Sequence, residues 1–240
     1  MVMLTQTLSF VIMYVSEWSK SMKYTHIIWD FNGTIFDDVD IGIKAANKLL
    51  SRRGMRLIED VEQYREYFGF PIKEYYRRVG FDFEKESYED ILAPEWVDEY
   101  TALEPYAELC VGALEALELF CRSGVRQSIV SASYSKMLKK QLSRLGIDHY
   151  FYDVVGCDDF LAGGKSDICA EFVKKHPRDT FLLIGDTTHD FCVAENSGID
   201  CALVLTGHMP KKKLLECSKN VYEDSYVIAK NLIYEDGSLL

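Results

Sequence analysis

Five short runs of this chain are nearly continuously apolar, without polar alternation: residues 27–29, 128–130, 152–155, 181–184 and 202–205. Runs of this kind read as strands buried on both faces, as in a parallel sheet. Helical patterns separate them. Val39, Ile43, Ala46 and Leu50 are spaced four, three and four, with Gly54 as a stop. Leu138, Leu142 and Leu145 repeat that spacing before Gly146, and Leu114, Leu117 and Cys121 line another helix ending near Gly124. Pro210 suits the first turn of a helix running to about Glu216. Strand–helix alternation predicts an α/β doubly wound, parallel-sheet (Rossmann-like) core.

One stretch departs from the alternation. Between Gly54 and Pro105 the sequence offers aromatic-rich helical pieces at 61–68, 72–79 and 88–100, the last interrupted at Pro94. Residues 37–104 therefore read as an all-helical insertion, or cap, in a core formed by 22–36 and 105–240. The 240 residues suit one large domain with such an insertion. Residues 8–15 form an apolar run too short to span a membrane, which takes about 20 residues. The first basic residue is Lys20, too late for a secretory signal. Residues 1–21 are expected to be a dispensable leader or a short extra helix.

Composition narrows the partners. A net charge of −11 disfavours nucleic acid and anionic membranes. The seven cysteines include no Cys-x-x-Cys pair, which argues against a disulfide framework and fits a reducing, cytoplasmic setting. Residues 82–104 carry nine acids against one lysine, which reads as a solvated outer face.

In an open α/β sheet, ligands sit at the carboxyl ends of the strands. After the first strand comes Asp30-Phe31-Asn32-Gly33-Thr34, and after the second Ser131-Ala132-Ser133. Gly163-Gly164-Lys165-Ser166 precedes the fourth, and Gly185-Asp186-Thr187-Thr188-His189-Asp190 follows it. These groups suit phosphoryl transfer. A carboxylate such as Asp30 can attack phosphorus. Asp30 and Asp186 can supply oxygen ligands to Mg2+. Ser131 and the amide of Ala132 can hold phosphate oxygens at a helix start, and Lys165 adds a positive charge. Gly164-Lys165-Ser166 resembles the end of a P-loop, but the required first glycine falls on Asp159.

At these residues the chain resembles the haloacid dehalogenase superfamily of phosphatases, near the phosphoglycolate phosphatase and beta-phosphoglucomutase branch. The family's Asp-x-Asp-Gly-Thr motif matches Asp30–Thr34 with one change, and its strand-ending Ser or Thr matches Ser131. Its lysine matches Lys165, and its Gly-Asp-x-x-x-Asp matches Gly185, Asp186 and Asp190. Order and spacing agree over nearly all of residues 24–236, and the helical insertion stands where C1-type members carry a cap. The resemblance implies Asp30 as the nucleophile and Mg2+ held by Asp30, the backbone carbonyl of Asn32, Asp186 and, through water, Asp190. Gly33, Thr34, Ser131, Ala132 and Lys165 would surround the phosphoryl group, and Phe68, Phe70 and Tyr75 of the cap would face a small phosphorylated metabolite. Arg77 and Arg78 can reach a substrate carboxylate or second phosphate, although surface charge is the simpler reading of both.

The departure is Asn32, where family phosphatases place an acid–base Asp. An amide is neither a usable acid nor a usable base near neutral pH, and the acid–base assistance it cannot give is typically worth about 10²–10⁴-fold. Ester hydrolysis is therefore expected to be slowed, with acyl phosphates and anhydrides suffering less. His189 can substitute from the loop it occupies, although a solvated loop histidine is the simpler reading. His26, His149, His176 and His208 show no partner pattern. The alternatives are a non-catalytic phosphoryl-binding module and a phosphotransferase; the latter needs the missing Asp in both half-reactions.

Overall fold

The computed structural model describes residues 22–157, 164–235 and 239. The leader expected at 1–21 lies outside the described residues. Six strands form one parallel sheet in the order β5-β4-β1-β6-β7-β8. They are β1 (His26–Trp29), β4 (Arg126–Tyr134), β5 (Asp153–Cys157), β6 (Phe181–Gly185), β7 (Asp200–Val204) and β8 (Val221–Tyr222). β1 lies between β4 and β6, with Trp29 paired to both Ile129 and Ile184. Ile27, Ile28, Trp29 and Leu182 to Ile184 are solvent-free, as continuous apolar runs require. Apolar clusters on both faces of the sheet, around Ile27 and Phe120 on one side and Ile28 and Leu203 on the other, complete a doubly wound core.

Three readings change. The helix after Gly112 spans Ala113–Arg122, but its buried residues are Ala113, Ala116, Leu117, Leu119 and Phe120, while Leu114 and Cys121 are exposed. The buried stripe runs through Ala113, Ala116, Leu117 and Phe120, so Leu117 is shared with the expected face while Leu114 and Cys121 fall one position outside it. The break at Pro94 is a change of helix type rather than a gap: a wide π-helical turn (Tyr88–Leu92) runs straight into an α-helix (Ala93–Leu103), and Pro94 sits in the first turn of the latter, where a missing N–H is tolerated. Strand β4 continues to Tyr134, so Ser131 lies near the end of a strand, and the helix begins only at Ser135.

The helical insertion comprises α1 (Val39–Arg52), α2 (Val61–Tyr67), α3 (Ile72–Val79) and α4 (Ala93–Leu103). Its own core gathers Leu49, Leu50, Tyr64, Tyr75, Tyr76, Phe81 and Leu92. The two chain crossings between insertion and sheet pair with each other. β2 (Phe36–Asp37) and β3 (Glu108–Leu109) form a two-residue antiparallel ribbon, too short to announce itself as a sequence pattern. The remaining helices follow the strands: α5 (Ala113–Arg122), α6 (Ser135–Leu145), α7 (Lys165–Lys175), α8 (Thr188–Ser197), α9 (Lys211–Cys217) and α10 (Ser225–Tyr234). Among the described residues, no helix is long and apolar enough to cross a membrane.

Candidate active site

Asp30, Ser131 and Asp186 stand at the carboxyl ends of three adjacent strands, as the topology requires. The amide of Asp30 donates to the carbonyl of Ile184 at 2.9 Å, which fixes the β1 loop against β6. Lys165, the first residue of α7, is 3% exposed and reaches across to this edge. Its Nζ donates to Asp30 Oδ1 and to Asp190 Oδ1, each at 2.5 Å. Asp190 also accepts from the amide and hydroxyl of Thr187 through Oδ2, forming a capping box on α8. It therefore both caps a helix and anchors the lysine.

Carboxylate oxygens of Asp30, Asp186 and Asp190 lie within 4.8 Å of one another. Burial, chiefly, pushes the Asp186 carboxyl up to about 8; Asp30 and Asp190 add to this against the pull of His208. Burial likewise pushes Asp30 up to about 6, with Lys165 opposing and Asp190 reinforcing. Asp190 stays below the usual range because Lys165 outweighs its burial. Lys165 is held above the usual lysine range, since Asp190 and Asp30 outweigh its burial. Three buried carboxylates stand beside one lysine, and hard oxygen donors in excess of local positive charge suit a divalent cation. Space at the triad is restricted. Gly33 takes φ +71, and a Cβ there would lie 2.5 Å from Asp186 Oδ2. A Cβ at Gly207 would overlap the same carboxylate. Thr34 is buried, with its hydroxyl 3.4 Å from Asp186 Oδ1.

Asn32 is held on three sides. Its Nδ2 donates to Asp38 Oδ2 at 2.8 Å and to the Tyr100 hydroxyl at 2.9 Å. Its Oδ1 accepts from Ser133 Oγ at 2.6 Å. Asp38 is the hub of this network. It accepts from the Gly33 amide, the Tyr100 hydroxyl and His208 Nε2 at 3.1, 2.8 and 3.2 Å. Tyr64 Oη lies 2.9 Å from His208 Nδ1, and the His208 amide donates to Asp186 Oδ2 at 2.7 Å. Asp38 pushes His208 up to about 9 against burial, and His208, Tyr100 and Asn32 hold Asp38 below the carboxylate range despite its burial. At neutral pH the pair is an imidazolium facing a carboxylate.

A cavity of about 230 Å³ opens above these groups, lined by Asp30, Asn32, Ser131, Ala132, Lys165, Asp186, Asp190, His189 and His208 from the core. Phe68, Phe70 and Tyr75 line its other side with Tyr64, Trp96 and Tyr100. The structure thus brings the motif residues Asp30, Asn32, Ser131, Ala132, Lys165, Asp186 and Asp190 together with the three cap aromatics around one cavity, while Gly33 and Thr34 lie beneath it. Ser131 is 2% exposed and its hydroxyl accepts from the Ser133 amide at 3.1 Å. It presents its group from a strand end, so the expected helix start plays no part there. Arg77 pairs with Glu74 and Arg78 donates to the carbonyl of Tyr67, and neither lines the cavity. His189 stacks on Phe70 at 4.6 Å between ring centres. Asp38, Tyr64, Tyr100, Ser133 and His208 were not singled out. The signal for His208 was its place in the loop after β7, on the same carboxyl edge as the motifs.

A buried acidic triad with a paired lysine at the carboxyl edge of a parallel α/β sheet defines a hydrolase site of the phosphoryl-transfer type. The sequence profile of the haloacid dehalogenase-like hydrolase family matches residues 27–204, and the chain belongs to that family. It is 26% identical over 208 residues to a phosphoglycolate phosphatase of Pseudomonas fluorescens, covering 83% of this chain and 76% of that one. A second phosphoglycolate phosphatase, from Aquifex aeolicus, is 26% identical over 190 residues, covering 76% and 85%. The fold matches a haloacid dehalogenase-like hydrolase of Streptococcus pneumoniae with a TM-score of 0.72 at 20% identity, covering 87% of this chain and 97% of that one.

Proposed function

We propose that the protein is a Mg2+-dependent phosphatase of small phosphate monoesters acting through an aspartyl-phosphate on Asp30. The contact of Lys165 with both Asp30 and Asp190, beside Asp186 and under the cavity, carries this reading. Asp30, Asp186 and the backbone carbonyl of Asn32 would hold Mg2+, with Asp190 acting through water. The bound cation would offset charge on the phosphoryl oxygens. Lys165 orients the Asp30 carboxylate and, with Ser131 and the Ala132 amide, binds the phosphoryl oxygens. An Asp30 oxygen forms the new bond to phosphorus as the bond to the leaving oxygen breaks. Water then attacks the aspartyl-phosphate, releasing inorganic phosphate and restoring the carboxylate.

The leaving oxygen gains no proton from Asn32. Both amide hydrogens already point at Asp38 and Tyr100, and the group has no acid to offer. Residues 37–104 serve as the cap over a core of 22–36 and 105–240, excluding water from the cavity when closed. The β2–β3 ribbon marks the two crossings about which cap and core would move.

Purified protein is to be assayed on an activated aryl phosphate and a panel of metabolite phosphates, with and without Mg2+. Turnover that needs Mg2+, with phosphate trapped on Asp30, is expected. Neither turnover nor trapping, in folded protein, would leave a phosphoryl-binding module as the better reading.

A further inference from the structure

The phosphatase reading leaves the leaving group open, and two separate features of the cavity restrict it. The first is charge. Among the described lining residues the cationic groups are Lys165, bonded to Asp30 and Asp190, and His208, bonded to Asp38. The described wall contributed by the helical insertion carries no cation: Phe68, Phe70, Ile72, Tyr75, Trp96 and Val97 make it largely aromatic and aliphatic, and its polar groups are Asp38, Thr101 and tyrosine hydroxyls. The nearby cations of the insertion and the α9 region turn elsewhere. Arg65 donates to the carbonyl of Gly207 at 2.8 Å, and Lys213 donates to that of Glu66 at 2.9 Å. A carboxylate or second phosphate on the leaving group would be buried here without a free cationic partner, which low-dielectric surroundings penalise heavily.

The second feature is Asn32. Without acid assistance the leaving oxygen departs as an anion. A phenolic oxygen, with a pKa near ~10, does so far more readily than an alkoxide. We infer that the favoured substrates are aryl phosphate monoesters whose ring carries no charge, seated among Phe68, Phe70, Tyr75 and Trp96. This inference rests on the phosphatase reading. The size is suitable, since an apolar cavity of ~150 Å³ admits benzene, and about 230 Å³ is available for one substituted ring and its phosphoryl group.

The test compares kcat/KM of the Mg2+-loaded full chain for phenyl phosphate, 4-carboxyphenyl phosphate and 2-phosphoglycolate. Phenyl phosphate is expected to lead both by at least about 100-fold. Carboxylated esters within threefold of it overturn the inference and leave the phosphatase reading standing. Non-hydrolysable phenylphosphonate and phosphonoacetate, titrated calorimetrically with Mg2+ present, separate the two readings when no ester turns over. Tenfold tighter binding of phenylphosphonate then supports the cavity assignment alone, and equal binding ends it.

Discussion

Asp38 and Asp186 are both buried carboxylates in contact with His208, yet their protons behave in opposite ways. Asp38 meets the imidazolium ring, the Tyr100 hydroxyl, the Asn32 amide and the Gly33 amide, and is held below the carboxylate range. Among the described residues Asp186 accepts from the backbone of His208 and, at 3.4 Å, from Thr34, and burial pushes it up to about 8. The cap-side network is complete as a folded unit because each of its charges has an opposite charge and hydrogen bonds. The core-side triad is not, since its one lysine bonds Asp30 and Asp190 and leaves Asp186 without it. A buried carboxylate left short of partners marks where a ligand is to be expected, and a saturated one marks architecture.

The largest effect should come from the core side. Asp30→Asn removes the attacking oxygen and should lower kcat on phenyl phosphate by about 10⁴-fold or more, with no phosphate trapped on the protein. Activity within tenfold of the parent would assign the nucleophile elsewhere. The cap side yields the next effect. Asn32→Asp should restore acid–base assistance, but the new carboxylate would face Asp38 Oδ2, which now lies 2.8 Å from the amide nitrogen. Two carboxylates at that separation cannot both ionise. The single variant should therefore melt lower and gain less than about tenfold. Asn32→Asp combined with Asp38→Asn, which keeps the number of carboxylates, should gain about 100-fold on alkyl phosphates. Equal rates and melting temperatures for the two variants would show that Asp38 does not constrain position 32.

The same contrast explains what could be read from the sequence. Asp30, Ser131, Lys165, Asp186 and Asp190 were legible because each belongs to a short motif tied to the end of a strand or the start of a helix. Asp38, Tyr64, Tyr100 and His208 lack such a local mark. Tyr100 meets Asp38 across 62 residues of chain and His208 meets it across 170, contacts made only when the insertion packs on the sheet edge. The parallel sheet was visible in apolar runs, but β8 has two residues and carries no pattern. Ser131 was placed at a helix start because nothing in Ala132-Ser133-Tyr134 signals that the strand continues. The α5 face is hard to read because the helix is apolar on more than one side: Leu114 and Cys121 share the spacing of Ala113, Leu117 and Phe120, and only packing on the sheet chooses the latter set.

A pH effect sharpens the core side further. Asp30 and Asp186 are pushed up to about 6 and about 8 from an ordinary 3.8, so the metal-free folded state binds protons more tightly than the unfolded state. Their ionisation therefore costs stability as pH rises from about 4 through 8. Mg2+ competes with those protons, so its stabilising effect should grow over the same window. The rise in melting temperature on adding Mg2+ should be clearly larger at pH 8.5 than at pH 5.5, measured against EDTA controls. A shift independent of pH would place the cation away from these carboxylates.

The smallest effect tests the saturated network. Tyr100→Phe keeps the ring, which stacks on Trp96 at 4.7 Å, and removes one hydroxyl. That hydroxyl donates to the charged Asp38 and accepts from Asn32, so its loss leaves Asp38 one donor short in a buried place. A hydrogen bond to a charged group is worth about 1.5–3 kcal/mol, or a fall in melting temperature on the order of 5 °C for a chain of this size. The fall should be the same with and without Mg2+, because Asp38 lies outside the acidic triad. If Mg2+ restored the melting temperature of Tyr100→Phe, the two networks would be one electrostatic unit, and the separation drawn between Asp38 and Asp186 would fail.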